Sequence, residues 1–317
     1  MKNVAITGVS GFLGQFLAEK LTSVYSILGV VRKKSNFPYV GCEIDESLTL
    51  RRCAWLEGID VVIHCAARAH IMNESSKDPI SDYRKVNTAG TLNLAHFAAI
   101  SGVKRFIYIS SIKVHGERNH GRNVIIEEEQ LEPVDPYGIS KLEAEIGLRK
   151  IAADTGMEVV IIRPPLIYGP GVKANFESMM KWLHKGLPIP LGLVKNKRSL
   201  VGIDNLCDFI QLCIEHPEAA NEAFLISDQC DVSTSELLQK LKKSLSSKSV
   251  IMPVPVPLMN FGAKLIGKGQ MAQRLFDDLY VSSEKATRLL GWKPPFSMQE
   301  QLDKTALHFI QHAGERT

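Results

Sequence analysis

A chain of 317 residues, 45% of them hydrophobic, is long enough to bury more than one core, so two lobes, or one large lobe with a cap, are expected. Its 38 basic and 34 acidic residues leave a formal charge of +4 with no local basic stripe, which argues against a nucleic-acid partner. The six cysteines (Cys42, Cys53, Cys65, Cys207, Cys213 and Cys230) form no paired Cys-x-x-Cys, so buried thiols in a reducing compartment are expected and a metal site is not.

The chain opens on Lys2-Asn3-Val4-Ala5-Ile6, which lacks the charged-then-apolar layout of a signal peptide, and a cytoplasmic location is expected. Short β-branched runs then alternate with longer amphipathic stretches, the pattern of a parallel sheet covered by helices. Strands are predicted at 4–7, 26–31, 61–65, 106–110 and 159–163, nearly all apolar, as strands buried on both faces are. Helices are predicted at 12–23, 47–57, 79–101 and 137–154, the last starting at Asp135-Pro136 and stopping at Gly156.

Beyond Arg163-Pro164-Pro165 glycine and proline become frequent, as if the chain leaves the sheet to build a cap. The expected division is a dinucleotide-binding lobe over 1–166, with 199–226 returning to it, and a cap made of 167–198 and 227–317. The apolar stretch 250–266 is broken by Pro253, Pro255, Pro257 and Lys264 and falls short of the roughly 20 apolar residues of a spanning helix, so no membrane insertion is expected.

After the first strand, Thr7-Gly8-Val9-Ser10-Gly11-Phe12-Leu13-Gly14 spaces three glycines ahead of a helix. Such a loop turns tightly, lets a pyrophosphate approach the backbone and meets it with free helix N-terminal amides. A dinucleotide is expected there, although glycines alone would also suit an ordinary strand-to-helix turn. At the end of the second strand, where an NAD enzyme usually carries an acid for the ribose 2′-hydroxyl, this chain has Val31-Arg32-Lys33-Lys34. Arg32 suits the extra phosphate of NADP, which is favoured over NAD. The other reading, solvated surface cations, stays open for Lys33 and Lys34 above all.

Pro136-Tyr137-Gly138-Ile139-Ser140-Lys141 opens a helix with Tyr137 and Lys141 on one face. A neighbouring ammonium and an oxidised nicotinamide would favour the phenolate of a tyrosine whose ordinary pKa is near ~10. Ser110-Ser111 follows a buried strand, so Ser111 emerges at the carboxyl edge where open α/β sheets bind ligands. His64 and Cys65 end a strand and read as a satisfied histidine and an inert thiol. Glu127-Glu128-Glu129 reads as a solvated loop edge.

With these motifs, and with Asp60 to Ala67, Val86-Asn87, Gly90-Thr91, Arg163-Pro164, Tyr168-Gly169-Pro170 and Leu289 to Pro294, the chain resembles an extended short-chain dehydrogenase/reductase of the nucleotide-sugar epimerase and dehydratase group, almost end to end. The resemblance implies an α/β fold, a Rossmann-type doubly wound parallel sheet with a smaller C-terminal substrate-binding cap. It implies that Ser111 hydrogen-bonds the reacting sugar oxygen, that Tyr137 exchanges its proton, and that Lys141 holds the nicotinamide ribose and lowers the tyrosine pKa. By the same resemblance Gly8, Gly11, Phe12, Leu13, Gly14 and Arg32 meet the cofactor, and Glu43 and Ile44 meet its adenine. Ala66, Ala67 and Pro164 line it, and Asn87 supports the site from behind. Asn175, Arg198 and Arg274 fall where the family grips the nucleotide diphosphate, a task that suits arginine's planar fork. His115 stands where the family often has tyrosine, and is read either as a substrate ligand or as a packing residue. A UDP-sugar substrate and a homodimer paired through helices near 90–101 and 137–154 are implied as well.

Two reactions share this apparatus. Arg32 favours an NADPH-dependent 4-ketoreductase of a UDP-4-keto-6-deoxy-N-acetylhexosamine, and the alternative is a UDP-glucose or UDP-N-acetylglucosamine 4-epimerase. A dehydratase is disfavoured because Ile112 and Lys113 stand where that branch wants an acidic pair. A non-catalytic dinucleotide sensor is the competing class, although such proteins usually lack the serine or the tyrosine.

Overall fold

The computed structural model describes residues 1–31, 40–43, 54–69, 78–119, 121, 124–265, 269 and 275–313. Arg32, Lys33, Lys34, Ile44, His70 and Arg274 lie outside the described residues, as does most of the helix predicted at 47–57, of which Ala54–Leu56 is a 3₁₀ turn.

Among the described residues, seven parallel strands form the main sheet in the order β3-β2-β1-β4-β5-β6-β9. These are β1 (Asn3–Thr7), β2 (Ser26–Val31), β3 (Val40–Glu43), β4 (Val61–His64), β5 (Arg105–Ile109), β6 (Glu158–Arg163) and β9 (Ala223–Leu225). The order runs one way from β1 through β2 to β3 and the other way from β4 outward, so the switch point lies between β1 and β4. In open α/β sheets the ligand crevice sits at the carboxyl ends of such a pair. The five strands predicted from apolar runs are all present. Strand β3 was not anticipated, because four residues containing a glycine carry no readable pattern; it joins β2 through a register shift between Gly29 and Val30. The predicted return to the sheet is made by β9 alone. Strand β8 (Leu200–Gly202) instead pairs with β7 (Leu166–Tyr168) in a separate two-stranded sheet.

Alternate strand residues point to opposite faces and so divide the core in two. Val4, Ile6, Val61, Ile63, Ile107, Ile109, Val160 and Ile162 pack under α1 (Phe12–Leu21) and α6 (Ile203–Glu215). Ala5, Val62, Phe106, Tyr108, Val159 and Ile161 pack under α3 (Thr91–Ile100) and α4 (Pro136–Thr155). The single helix predicted at 79–101 is a continuous helical run with α2 (Pro79–Tyr83) at its start and a π-helical segment, Arg84–Gly90, in its middle. One wider turn there brings Asn87 inward, to 1% exposure. A third core joins the small sheet to α5 (Ala174–His184), α7 (Thr234–Ser244) and α10 (Met298–Ala313) through Tyr168, Phe176, Leu183, Leu238, Leu241 and Leu302. Phe12 packs against both this cluster and the one under α1. Helix α8 (Val256–Leu265) spans most of the proline-rich apolar stretch; among the described residues no helix is long and apolar enough to cross a membrane.

Glu127 departs from its expected place on a solvated loop edge: it is half-buried, and its Oε1 accepts from Leu225 N at 2.7 Å, satisfying the backbone of the edge strand β9. Helix α9 (Glu284–Leu290) ends on Gly291 at φ 65°, which turns Trp292 inward to stack edge-on against Phe209 at 5.0 Å. Phe209 is fully buried and also meets Phe224 at 5.4 Å. Replacing it with alanine is expected to destabilise the protein by roughly 3–5 kcal/mol, measured as a lowered midpoint in urea unfolding.

Candidate active site

The phosphate loop is built by close backbone approach. Gly8 sits at φ 68°, donates its amide to Val30 O at 3.0 Å, and comes so near the segment after β4 that a Cβ would lie 2.9 Å from Ala66 Cα. A Cβ on Gly14 would lie 2.7 Å from Val9 Cα, so only glycine lets the first turn of α1 close on the loop. Gly11 caps α1 without a side-chain hydrogen bond, and no acidic residue stands in the first turn. Leu13 is buried and Phe12 is packed between two cores, so both offer the ligand crevice their backbone. A tight glycine cradle facing an uncapped helix N-terminus fits a pyrophosphate.

Beside it, Ala66 N donates to Thr7 Oγ1 at 3.3 Å, and that hydroxyl also meets His64 Nδ1 at 2.6 Å. His64 Nε2 meets Thr91 Oγ1 at 2.9 Å, so the ring is satisfied on both nitrogens, as its place at a strand end suggests. Burial, reinforced by the Lys141 ammonium, pulls its pKa down to about 3. Burial likewise pushes the Cys65 thiol up to about 12, leaving it protonated and inert near neutral pH. Asn87 accepts from Arg68 N at 2.8 Å and donates to Arg68 O at 3.0 Å and Ser140 Oγ at 3.1 Å. It thereby ties the Ala66-Ala67-Arg68 segment to α4. On β3, Glu43 pairs in register with Val31.

Ser111, Tyr137 and Lys141 meet at the carboxyl edge of β5. Ser110 N donates to Ile162 O at 2.7 Å and Ile112 N to the carbonyl of the buried Pro164 at 3.0 Å, which pins the corner between them. Ser111 caps the 3₁₀ turn Ile112–His115 by accepting from Lys113 N at 3.3 Å, and its hydroxyl favours the phenolate of the half-buried Tyr137. Asp135 caps α4 by accepting from Gly138 N at 2.7 Å and pairs with Lys113, which fixes the start of the helix. One turn further, Lys141 is 2% exposed and donates to Ile109 O at 2.7 Å, with Nζ 4.3 Å from the Tyr108 ring centre and 5.9 Å from that of Tyr137.

The chain's own electrostatics favour a neutral phenol. Burial pulls Lys141 down to about 7, opposed by Cys65 and Glu145, and its ammonium is spent on a carbonyl. The phenol of Tyr137 is pushed up, first by burial and then by Asp135, with the Ser111 hydroxyl working the other way and Tyr83 adding a little to the rise. The chain's own groups therefore hold Tyr137 protonated.

The residues assigned to the substrate side are not brought together so plainly. His115 is 1% exposed with Nε2 3.0 Å from Arg163 Nη1, which favours the packing reading. Asn175 is exposed near the start of α5, next to Ala174 at φ 58°. Arg198 bridges Val232 and Leu279 through its backbone and donates from Nη1 to Asp277 O at 3.3 Å. It adjoins a polar cavity of about 420 Å³ lined by Arg118, Asn119, Gly121, Asp277 and Asp278, which no motif signalled. Sequence reasoning also missed the buried pair Glu145–Arg163, at 2.7 Å, although Glu145 continues the four-residue spacing of Tyr137 and Lys141.

The chain belongs to the NAD-dependent epimerase/dehydratase family, whose model matches residues 4–227. It is 45% identical over 317 residues to a UDP-glucose 4-epimerase of Vibrio cholerae, covering 98% of this chain and 96% of that one. It is 27% identical to an N-acetyl-α-D-glucosaminyl-diphospho-ditrans,octacis-undecaprenol 4-epimerase of Escherichia coli O157:H7, with 98% and 96% covered. Its fold matches the crystal structure of a UDP-glucose 4-epimerase with UDP-glucose from Thermotoga maritima at a TM-score of 0.77 and 25% identity, covering 98% of this chain and 99% of that one. The fold is thus a Rossmann-type α/β fold, and the family is one of nucleotide-sugar enzymes that use a nicotinamide dinucleotide.

Two outcomes follow from this geometry. Gly14→Ala is expected to weaken dinucleotide binding by at least about tenfold, equivalent to about 1.4 kcal/mol, in a calorimetric titration. His64 stays neutral in the folded chain down to about pH 3, whereas the unfolded chain protonates it near its ordinary value of 6.5. Its contribution to stability is therefore complete above about 6.5 and is lost as pH falls, at about 1.4 kcal/mol per pH unit. His64→Gln is expected to remove that slope in urea titrations run between roughly pH 5 and 7.

Proposed function

We propose that this member of the epimerase/dehydratase family inverts the C4 configuration of a UDP-hexose or UDP-N-acetylhexosamine, with Tyr137 and Ser111 at the reacting oxygen. The observation that carries the reading is the convergence of Ser111, at the end of β5, and Tyr137, in the first turn of α4, at the carboxyl edge of the sheet, with Lys141 one helical turn behind. Full-length identity of 45% to a UDP-glucose 4-epimerase supports inversion over the reduction that Arg32 favours from sequence.

When bound, the dinucleotide supplies the hydride acceptor and, oxidised, a positive charge beside the phenol. The rest falls to the chain's own residues. Gly8, Gly11 and Gly14, with the amides of Phe12 and Leu13, would hold the pyrophosphate; Ala66, Ala67 and Pro164 would border the dinucleotide, and Lys141 would meet the nicotinamide ribose. Glu43 and Ile44 would lie toward the adenine, with Asn87 bracing the segment from behind. Ser111 would donate to the sugar's O4 and orient it toward the phenol. Tyr137 would take the O4 proton as the hydride leaves and return it when the hydride comes back to the other face. Inversion leaves the redox state unchanged over a cycle, so one dinucleotide serves many turnovers. Asn175, Arg198 and Arg274 would grip the diphosphate within a cap formed by 167–198 and 227–317.

The places where a dehydratase wants an acidic pair hold Ile112, buried at 4%, and Lys113, paired with Asp135; neither can remove a C5 proton. Retention of Ser111, Tyr137 and Lys141 together argues against a sensor without chemistry. Reduction of a 4-keto-6-deoxy sugar by NADPH is the second reading, favoured by Arg32-Lys33-Lys34 after β2. A homodimer through α3 and α4 is supported by Ile100 and Ile146, exposed at 69% and 62% on those helices. We infer a cytoplasmic location from the nature of the substrate.

The test is incubation with UDP-N-acetylglucosamine or UDP-glucose and NAD, without reductant, and nuclear magnetic resonance of the sugar product. Appearance of the 4-epimer is expected, and Tyr137→Phe should lower kcat by about 10²- to 10⁴-fold while the UDP-sugar still binds. Turnover only with NADPH and a 4-keto sugar would establish the reductase instead.

A further inference from the structure

Glu145 lies one turn beyond Lys141 on α4, so Tyr137, Lys141 and Glu145 follow one another at four-residue intervals along one helix face. Its side chain is 1% exposed, and every nearby partner is buried as well. Oε1 accepts from Ser110 Oγ at 2.5 Å and from Arg163 Nε at 3.1 Å, and Oε2 accepts from Arg163 Nη2 at 2.7 Å. Arg163 spends its remaining nitrogen on Glu127 O at 3.2 Å and His115 Nε2 at 3.0 Å. The network therefore runs from α4 to both ends of the Ser110-to-His115 corner that carries Ser111.

We propose that Glu145 is a positioning residue of this site: its carboxylate, locked by Arg163, holds the Ser110-Ser111 corner against α4 and acts as the counter-charge of the buried Lys141 ammonium. The inference rests on the C4 chemistry proposed above, but two of its three readouts do not need that chemistry. A buried ion pair this costly to desolvate is more than packing requires, since apolar residues would fill the same space. What apolar residues could not do is accept from Ser110, one residue before the serine that meets Tyr137.

Lys141 interacts with side chains from three elements. Tyr137 and Glu145 come from α4, Tyr108 from β5, and His64 and Cys65 from the end of β4. His64 is neutral at physiological pH, and the Cys65 thiol, pushed up to about 12, is neutral too. Among the described residues that favour the ammonium, Glu145 is the one that carries charge. Removing it lets burial pull Lys141 down further, so the lysine loses its proton at lower pH.

Three variants of the full chain separate positioning from bulk stability. Ser110→Ala removes one hydrogen bond and leaves the ion pair intact, so it should fold as the parent does. Its kcat should fall by about ten- to a hundredfold with KM for the UDP-sugar nearly unchanged, because a misplaced Ser111 costs orientation more than binding. Glu145→Gln should move the titration of Lys141, read by nuclear magnetic resonance of ¹⁵N-lysine protein and assigned with Lys141→Met, down by roughly one pH unit or more. The alkaline limb of its kcat profile should shift the same way. The pair Glu145→Met with Arg163→Met replaces the ion pair by apolar side chains and removes the acceptor of Ser110, and should recover melting temperature without recovering kcat.

An unmoved Lys141 titration in Glu145→Gln, or activity that returns with stability in the double variant, would overturn the proposal. If the parent enzyme turns over no UDP-hexose, the C4 reading falls, while melting temperature and the lysine titration still decide the role of Glu145.

Discussion

An ammonium group sealed away from water is the constraint around which this site is arranged. Lys141 is 2% exposed, and a buried cation persists only where the surroundings give back part of its lost hydration. Here the Ile109 carbonyl, the face of Tyr108 and the Glu145 carboxylate share that task. Each comes from an element that also shapes the catalytic corner: the end of β5, its inner face, and the next turn of α4. The requirement to solvate one charge thus fixes how the helix bearing Tyr137 sits against the strand that delivers Ser111.

The same burial explains why the phenol is not activated at rest. Moving an anion out of water costs more than moving a neutral group, so Tyr137 is pushed up, and Asp135 adds to the effect. Asp135 is nevertheless needed, since it caps α4 through Gly138 N and holds Lys113. A charge delivered with the dinucleotide can then favour the phenolate only when the cofactor is in place. On the proposed C4 chemistry, such an arrangement would couple proton transfer to occupancy of the glycine cradle.

The cradle and the catalytic corner are held in register by polar links across the switch point. Thr7 joins the loop to His64 and Ala66, His64 continues to Thr91, and Asn87 ties the segment beyond Ala66 to Ser140. Each link is buried or half-buried and fully paired, so it adds rigidity without leaving an unsatisfied group. Phe12 extends the scaffold toward the third core, where α5, α7 and α10 surround the small sheet.

Local regularities carried much of this into the sequence. Apolar runs marked the five inner strands because both their faces are buried; glycine spacing marked the loop because Gly8 and Gly14 approach other backbone too closely for a Cβ; four-residue spacing put Tyr137 and Lys141 on one face of α4. Tertiary structure alone decided that Glu145 pairs with Arg163 across 18 residues, that His115 turns inward to Arg163 across 48, and that Glu127 caps Leu225 across 98. It also decided that β8 joins β7 and that burial and Asp135 raise the phenol. The division has a physical cause. Periodicity and steric closeness are imposed by neighbours along the chain, whereas the partner of a buried charge is whichever group the packing of distant elements brings within reach.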